Sequence, residues 1–244
     1  MSANFFSLPR ELRDRIYELV LLHQEPIDPW LDYDRRQKLT LELLHVSKTI
    51  HREASSLFYA QNRFNFTWGT PEVVASFLGQ IGRNNADYIR HMCVSFPRFL
   101  CLDPDGVTLE DDSVGILANI QSGCANLSTL TTSLYSINAT EFRLDAQDNP
   151  KVVAEALKLV DTHLRAISSL REKIVEVYED GLSDHMRRKM EDHGWIIRIV
   201  EYVEEEDFDR CFSDFDDRGD DSGDDDDDGY DIDNDSDFWR RAAD

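Results

Sequence analysis

Apolar side chains recur with two different periods along this chain, and the change of period near residue 63 divides it into two regions. Between residues 5 and 62 they recur every three or four positions, which places them on one side of an α-helix. Ser7 is a candidate cap for the first helix, and Pro9 falls in its first turn, where no amide donor is needed. The first helix carries one apolar stripe, formed by Leu8, Leu12, Ile16, Leu19 and Val20. A second run carries Leu43, Leu44, Ile50, Ala54, Leu57 and Phe58. We therefore predict two or three short helices before residue 63.

Beyond residue 63, short strand-like segments alternate with amphipathic helices. One leading strand, RFNFTW, precedes four helix-then-strand units whose helices begin near residues 70, 112, 149 and 183. Thr70-Pro71 and Asn149-Pro150 are typical helix starts, Ser183 begins the last unit, and the helix after Thr70 is predicted to end at Gly79 to Gly82. This alternation favours parallel strands joined by right-handed crossovers. We predict a fold of the α+β to α/β class, in which the body is either an irregular leucine-rich-repeat-like solenoid or an open, mainly parallel sheet.

Charge is concentrated at the end of the chain. Residues 201–244 carry 21 acidic and 4 basic side chains, so they hold −17 of the net charge of −23. Self-repulsion and a shortage of apolar side chains predict that residues 205–244 are a disordered acidic tail. The predicted organisation is a helical module at 5–62, an α/β body at 63–204 and this tail. The acidic balance argues against general binding to nucleic acid or to anionic membranes.

The sequence shows no export signal and no membrane span. The N-terminal residues lack the apolar core of a signal peptide, and no apolar run approaches the roughly 18 residues that a span needs. The four cysteines, which form no C-x-x-C pair, are typical of reduced thiols that fill a core: Cys93, Cys101, Cys124 and Cys211. We expect a soluble protein of the cytoplasm or nucleus.

No motif specific to a catalytic class is present, and we predict a protein that is not an enzyme. His91 and Cys93 lie two residues apart on a predicted strand, so they share a face and form a conceivable thiol–imidazole pair. The favoured interpretation is a half-buried strand with a core cysteine, because nothing supplies an oxyanion hole or an orienting group. An α/β enzyme that uses these two residues is kept as a further hypothesis.

Two patterns are candidate metal sites, and in both a solvated surface is the favoured interpretation. His185 and His193 lie eight residues apart on a predicted helix, whereas helical metal ligands usually recur at three or four. In the tail, Asp224, Asp226, Asp228 and Gly229 match the start of a calcium loop, but Asp235 replaces the final glutamate and no predicted helices flank the run. We predict no cofactor and no metal.

Three segments before residue 68 resemble the F-box-like domain of large families of uncharacterised filamentous-fungal proteins. They are LPRELRDRIYE at Leu8, LLHVSKTI at Leu43 and EASSLFYAQNRFNF at Glu53. The resemblance covers about residues 5–68 and implies a trihelical unit that packs on the Skp-type linker of a cullin ubiquitin ligase, while the downstream region recruits an unknown protein substrate. It also implies partner-binding residues, with Leu8, Pro9, Leu12 and Ile16 as first contacts and Leu44, Val46 and Ile50 behind them.

The chain departs from the ordinary F-box pattern in two places. A charged, proline-containing insert at residues 23–38 separates the first helix from the next, and the segment at residues 57–66 runs directly into the first strand. A second function therefore stays open, in which the protein is a scaffold with no role in ubiquitin transfer. In that case the N-terminal helices only cap the sheet, and the apolar residues of the motif are core residues.

Overall fold

The computed structural model describes residues 5–29, 41–132, 144, 149–177 and 182–200. Its helices are α1 (Arg10–Leu21), α2 (Lys48–Gln61), α3 (Pro71–Ala86), α4 (Asp111–Gly123), α5 (Pro150–Arg165) and α6 (Asp184–Asp192). Short 3-10 turns span Phe5–Ser7 and Leu41–His45. The strands are β1 (Arg63–Phe66), β2 (His91–Val94), β3 (Phe99–Asp103), β4 (Gly106–Leu109), β5 (Thr129–Thr132), β6 (Glu172–Val177) and β7 (Trp195–Ile199). The predicted tail at 205–244 lies outside the described residues.

Five of the strands form a mainly parallel sheet, as the alternation of elements predicts. Its order is β1-β2-β5-β6-β7, and each neighbouring pair is parallel. Strands β3 and β4 form a separate antiparallel hairpin between β2 and α4. A doubly wound sheet reverses its strand order at a switch point. Each new strand of this sheet instead joins the same edge, so the protein belongs to the mixed α/β class with a singly wound order.

The register of the sheet separates a helix-covered face from a polar face. Buried apolar side chains occupy the helix-covered face: Phe64, Phe66, Met92, Val94, Leu130, Val175 and Trp195. The Phe64 ring lies 5.8 Å from Phe58 of α2 and 5.6 Å from Phe77 of α3, measured between ring centroids. Lys173 of β6, on the same face, donates to Asp161 of α5 at 2.7 Å. Helices α2, α3, α4 and α5 also contact one another in chain order, so they form one layer over the sheet.

The chain that follows α1 belongs to the same sheet-and-helix architecture. After α1 the chain pairs with the first strand, because Ile27 N–H donates to the Arg63 carbonyl at 2.7 Å and Asn65 N–H donates to the Ile27 carbonyl at 2.7 Å. Ile27 is completely buried opposite Phe64, in a parallel bridge. Helix α2 therefore connects two parallel segments of the sheet, as the later helices do. Buried apolar residues form one continuous cluster on both sides of the predicted module boundary at 62/63.

Local signals fix most helix starts, and one expectation needs correction. Thr70, Asn149 and Ser183 each accept a backbone N–H at the start of a helix, as predicted. Ser7, however, does not cap α1: it belongs to the preceding 3-10 turn, and Pro9 is the capping residue without a side-chain bond. The helix after Thr70 breaks at Gly82, within the range where its end is predicted.

A glycine with a positive φ interrupts α3. Gly82 adopts a φ of 74°, which breaks the helical pattern, and a second helical stretch follows as far as Ala86. The Asn85 side chain donates to the Ile81 carbonyl at 3.0 Å and so links the two stretches across the break. Residues Pro71–Ala86 thus form two helical stretches that meet at Gly82.

Candidate functional site

The apolar stripe of α1 points away from the rest of the protein. Leu12 is 52% exposed and Leu19 is 74% exposed, and Pro9 is exposed beside them. Leu8 and Ile16 are half-buried. The buried residues of the helix are Tyr17 and Leu21. Because successive helical residues turn by about 100°, these two lie on the side opposite Leu12 and Leu19.

A carboxylate network holds the inner side of α1 against α2. Arg13 donates to both carboxylate oxygens of Glu53, at 2.8 and 3.0 Å, in a bidentate pair. The Tyr17 hydroxyl donates to the same carboxylate at 3.0 Å, and an Arg10 nitrogen lies 3.1 Å from it. Arg13 also donates to the Leu8 carbonyl at 2.7 Å, which fixes the turn before α1. The inner side of this helix thus combines these polar contacts with the buried Tyr17 and Leu21, while Leu12 and Leu19 face outward.

The environment keeps Glu53 ionised. The hydrogen bonds from Arg13 lower the pKa of the Glu53 carboxyl to about 2, against the opposing effect of burial, and the Tyr17 hydrogen bond acts in the same direction. Burial, together with the neighbouring carboxylate, raises the pKa of the Tyr17 phenol to about 12. A phenol that stays protonated can only donate to the carboxylate, so the network has one acceptor and several donors. This arrangement fixes the orientation of α1.

The remaining residues predicted to bind a partner divide into buried and exposed ones. Leu44 is 3% exposed and Ile50 is 5% exposed, so in this fold they are core residues and offer no surface to a partner. Val46 is 65% exposed. It directly precedes Ser47, the residue that caps α2. The candidate surface is therefore the outer stripe of α1, defined here as Leu8, Pro9, Leu12, Ile16 and Leu19.

His91 and Cys93 share the polar face of the sheet, as their spacing predicts, but they do not form an activated pair. The His91 Nε2 atom lies 2.7 Å from the Thr131 hydroxyl of β5. Burial and the nearby Arg63 guanidinium lower the pKa of His91 to about 4. Burial raises the pKa of the Cys93 thiol to about 12. Both groups are neutral at pH 7, so this site lacks the thiolate that nucleophilic catalysis by cysteine requires.

The neutral state of Cys93 predicts slow reaction with thiol reagents. In a Cys211→Ser background, native protein treated with a limiting amount of maleimide is expected to label Cys101, which is partly exposed, while Cys93 and Cys124 stay unlabelled. All three should label in denaturant. Peptide mass spectrometry at several reaction times measures the order. Labelling of Cys93 before Cys101 would contradict the assignment of an unreactive thiol and would revive the enzyme hypothesis.

The histidine pattern of α6 gains no metal-ligand set. His185 is exposed on α6, and His193 is the half-buried residue that follows this helix. Within the part of the chain that the structure describes, no three His, Cys, Asp or Glu side chains are grouped so that they could hold a metal ion. The calcium-like run that begins at Asp224 lies outside this part.

The geometry defines a mixed α/β protein with a single helix layer and an outward-facing apolar stripe on α1. No family model, no curated protein and no solved structure matches the chain. Among the described helices, none combines the length and the apolar character needed to cross a membrane.

Proposed function

We propose that this chain is a non-catalytic, F-box-like interaction adaptor whose α1 stripe binds the Skp-type linker of a cullin ubiquitin ligase. The observation that carries the proposal is the direction of the stripe, since Leu12 and Leu19 are 52% and 74% exposed on a helix that is anchored by its polar side. An amphipathic helix presented in this way suits the helix-in-groove mode of recognition. The resemblance of residues 5–68 to F-box-like domains supplies the identity of the partner.

The outer stripe of α1 keeps apolar surface for a partner to bury. Full burial of a leucine side chain contributes about 1.5–3 kcal/mol. Leu19 keeps 74% and Leu12 keeps 52% of its surface exposed, and Leu8 and Ile16 each keep part of theirs. The bidentate pair between Arg13 and Glu53 holds the helix in place before binding, which reduces the entropy cost of ordering it.

In this proposal the α/β body recruits the substrate as a leucine-rich-repeat-like solenoid does, through a regular sheet of parallel strands. The singly wound strand order supports this role, because a solenoid adds its strands at one edge. The polar face carries charges of both signs: Glu176 pairs with Arg198 at 3.0 Å and lies 3.9 Å from Arg63. Such a face suits a polar protein ligand.

The alternative function is a scaffold with no role in ubiquitin transfer. The bridge at Ile27 favours it, since α2 connects Ile27 to β1 and packs over the sheet as the later helices do. Packing within the protein therefore explains why the buried residues of the motif are apolar. In that case Leu44 and Ile50 are core residues with no role in binding. The two functions differ in one respect, which is whether the outer stripe of α1 is occupied by the linker.

A pull-down with a matched control distinguishes them. Full-length wild-type protein is expected to co-purify with the Skp-type linker and the cullin, and Leu12→Asp with Leu19→Asp is expected to abolish this, because two charges desolvate poorly in an apolar groove. Leu100→Asp, on β3, is the control, since Leu100 is also exposed, at 68%, but lies outside the stripe. Quantitative mass spectrometry of the captured proteins and thermal melting of each variant are the measurements.

The possible outcomes test the α1 stripe as the contact surface separately from the adaptor function. Loss of the linker with an unchanged melting temperature supports the proposal. Retention of the linker by the double variant rules out the stripe as the contact. Absence of the linker from the wild-type capture rules out the adaptor and leaves the scaffold.

A further inference from the structure

A groove opens at the edge of the sheet where three neighbouring strands begin. Arg90, Ser128 and Arg171 directly precede β2, β5 and β6, and they form one row, because Ser128 N–H donates to the Arg90 carbonyl and Arg171 N–H to the Ser128 carbonyl. Neighbouring strands lie about 4.8 Å apart, so the α-carbons of the two arginines are roughly 10 Å apart, with Ser128 between them. The groove has a volume of about 390 Å³.

The described residues that line the groove are hydrogen-bond donors, and none of them is a carboxylate. Its lining residues are Arg90, Asn126, Ser128, Ser168, Ser169 and Arg171. Ser168 and Ser169 come from the turn between α5 and β6, which is fixed because Leu170 N–H donates to the carbonyl of the buried Ile167. Two guanidinium groups carry two positive charges here. The sign of the charge therefore indicates an anionic ligand.

Some of these donors form hydrogen bonds within the described part of the protein, and others do not. The Arg90 guanidinium donates to the Asn126 carbonyl at 2.9 Å, and the Asn126 side-chain amide donates to the Asp87 carbonyl at 2.9 Å. The Arg171 guanidinium and the hydroxyls of Ser168 and Ser169 donate to no group within the described ranges. Arg171 and Ser168 are also exposed. One wall of the groove is thus held by the fold, while the other presents unused donors.

We propose that this groove binds a phosphate monoester group. A phosphate monoester is largely a dianion at neutral pH and offers three terminal acceptor oxygens. Two guanidinium groups match its charge, and arginine binds phosphate oxygens through two parallel N–H donors. The serine hydroxyls supply the additional donors. A single carboxylate has half the charge and fewer acceptors, so it leaves one guanidinium unmatched. The proposal uses no residue of the α1 stripe and does not depend on the adaptor function.

The phosphate monoester has two possible sources, a small molecule or a phosphorylated side chain of a peptide, and one titration series distinguishes them. Full-length protein is titrated at constant ionic strength with inorganic phosphate, O-phosphoserine, a phosphoserine peptide and the unphosphorylated peptide. Isothermal calorimetry gives each Kd. We expect saturable binding of the phosphate-bearing probes only. A phosphopeptide that binds at least tenfold more tightly than O-phosphoserine identifies a peptide source, and equal affinities identify a small molecule.

The key variant is Arg171→Gln, because the Arg171 side chain forms no hydrogen bond or ion pair with another described residue. It is expected to weaken O-phosphoserine binding at least tenfold, and Arg90→Gln to weaken it similarly. Arg52→Gln is the control, since it removes the same charge from an exposed residue of α2, outside the groove. Absence of saturable binding to the wild type overturns the proposal, and so does an equal effect of the Arg52 and Arg171 variants, which would indicate attraction by net charge alone.

Discussion

Replacing Arg13 with methionine is expected to lower the free energy of unfolding by more than the loss of an exposed ion pair on the same helix, because it leaves the Glu53 carboxylate without its bidentate donor. The Glu53 side chain is only 10% exposed. Arg10 and Tyr17 still contact the carboxylate, which limits the loss. Urea unfolding followed by circular dichroism measures the change.

Arg15→Met is the matched control on the same helix. Arg15 pairs with Glu18 at 2.7 Å, but its side chain is 70% exposed, and surface pairs of this kind contribute roughly 0–1 kcal/mol. Equal effects of the two substitutions would show that the network around Glu53 does not anchor α1. An additional assay follows from the proposed function, since an unanchored α1 should also bind the linker less tightly.

The same network predicts a dependence of stability on pH. The pKa of Glu53 is lowered to about 2 in the folded protein, from about 4.5 in the unfolded chain. A lowered pKa means that the stabilisation is complete above pH 4.5 and is lost as the pH falls towards 2. Glu53→Gln removes the titrating group, so the difference in unfolding free energy between wild type and variant should shrink from pH 7 to pH 3. A constant difference would contradict the assigned pKa.

Periodicity and capping signals predict much of this fold because they act locally. The alternation of Phe64 and Phe66 predicts β1, and Thr70 predicts the start of α3 from the hydrogen bond that its hydroxyl accepts. Parallel pairing follows from the order of elements. The singly wound order does not, because the same alternation of helices and strands suits a sheet that grows at either edge.

The unpredicted features depend on contacts between distant residues or on weak local signals. The stripe of α1 shows that the helix has one apolar side, but its contacts with distant residues, such as the pairing of Arg13 with Glu53, 40 residues later, determine that Leu12 and Leu19 face outward. The β3–β4 hairpin has a detectable signal, since residues 103–106 read DPDG and such a run is typical of a tight turn. Its strands do not alternate as β1 does, because the register of β3 shifts between Phe99 and Cys101. The phosphate groove likewise joins residues from three strand starts, which only the register brings together.

Replacing Phe64 with alanine is expected to destabilise the protein by about 3–5 kcal/mol, the usual cost of truncating a buried phenylalanine. Phe64 is 1% exposed, and its ring lies 5.7 Å from Tyr59 and 5.8 Å from Phe58, both on α2. It also lies 5.6 Å from Phe77 on α3. The cavity would therefore open where the N-terminal helices meet the sheet. Leu100→Ala is the control, because the exposed Leu100 side chain fills no cavity.

This substitution also tests whether residues 5–62 are a separate domain. The continuous core predicts a single cooperative unit, so hydrogen exchange of amides in α2 and in the distant β6 should accelerate together, roughly a thousandfold for a loss of about 4 kcal/mol. A separate helical module would instead lose protection in α2 while β6 keeps its own. Peptide-resolved hydrogen exchange of wild type and both variants measures this. Because α2 connects Ile27 to β1 and shares one core with the sheet, we expect the two regions to open together.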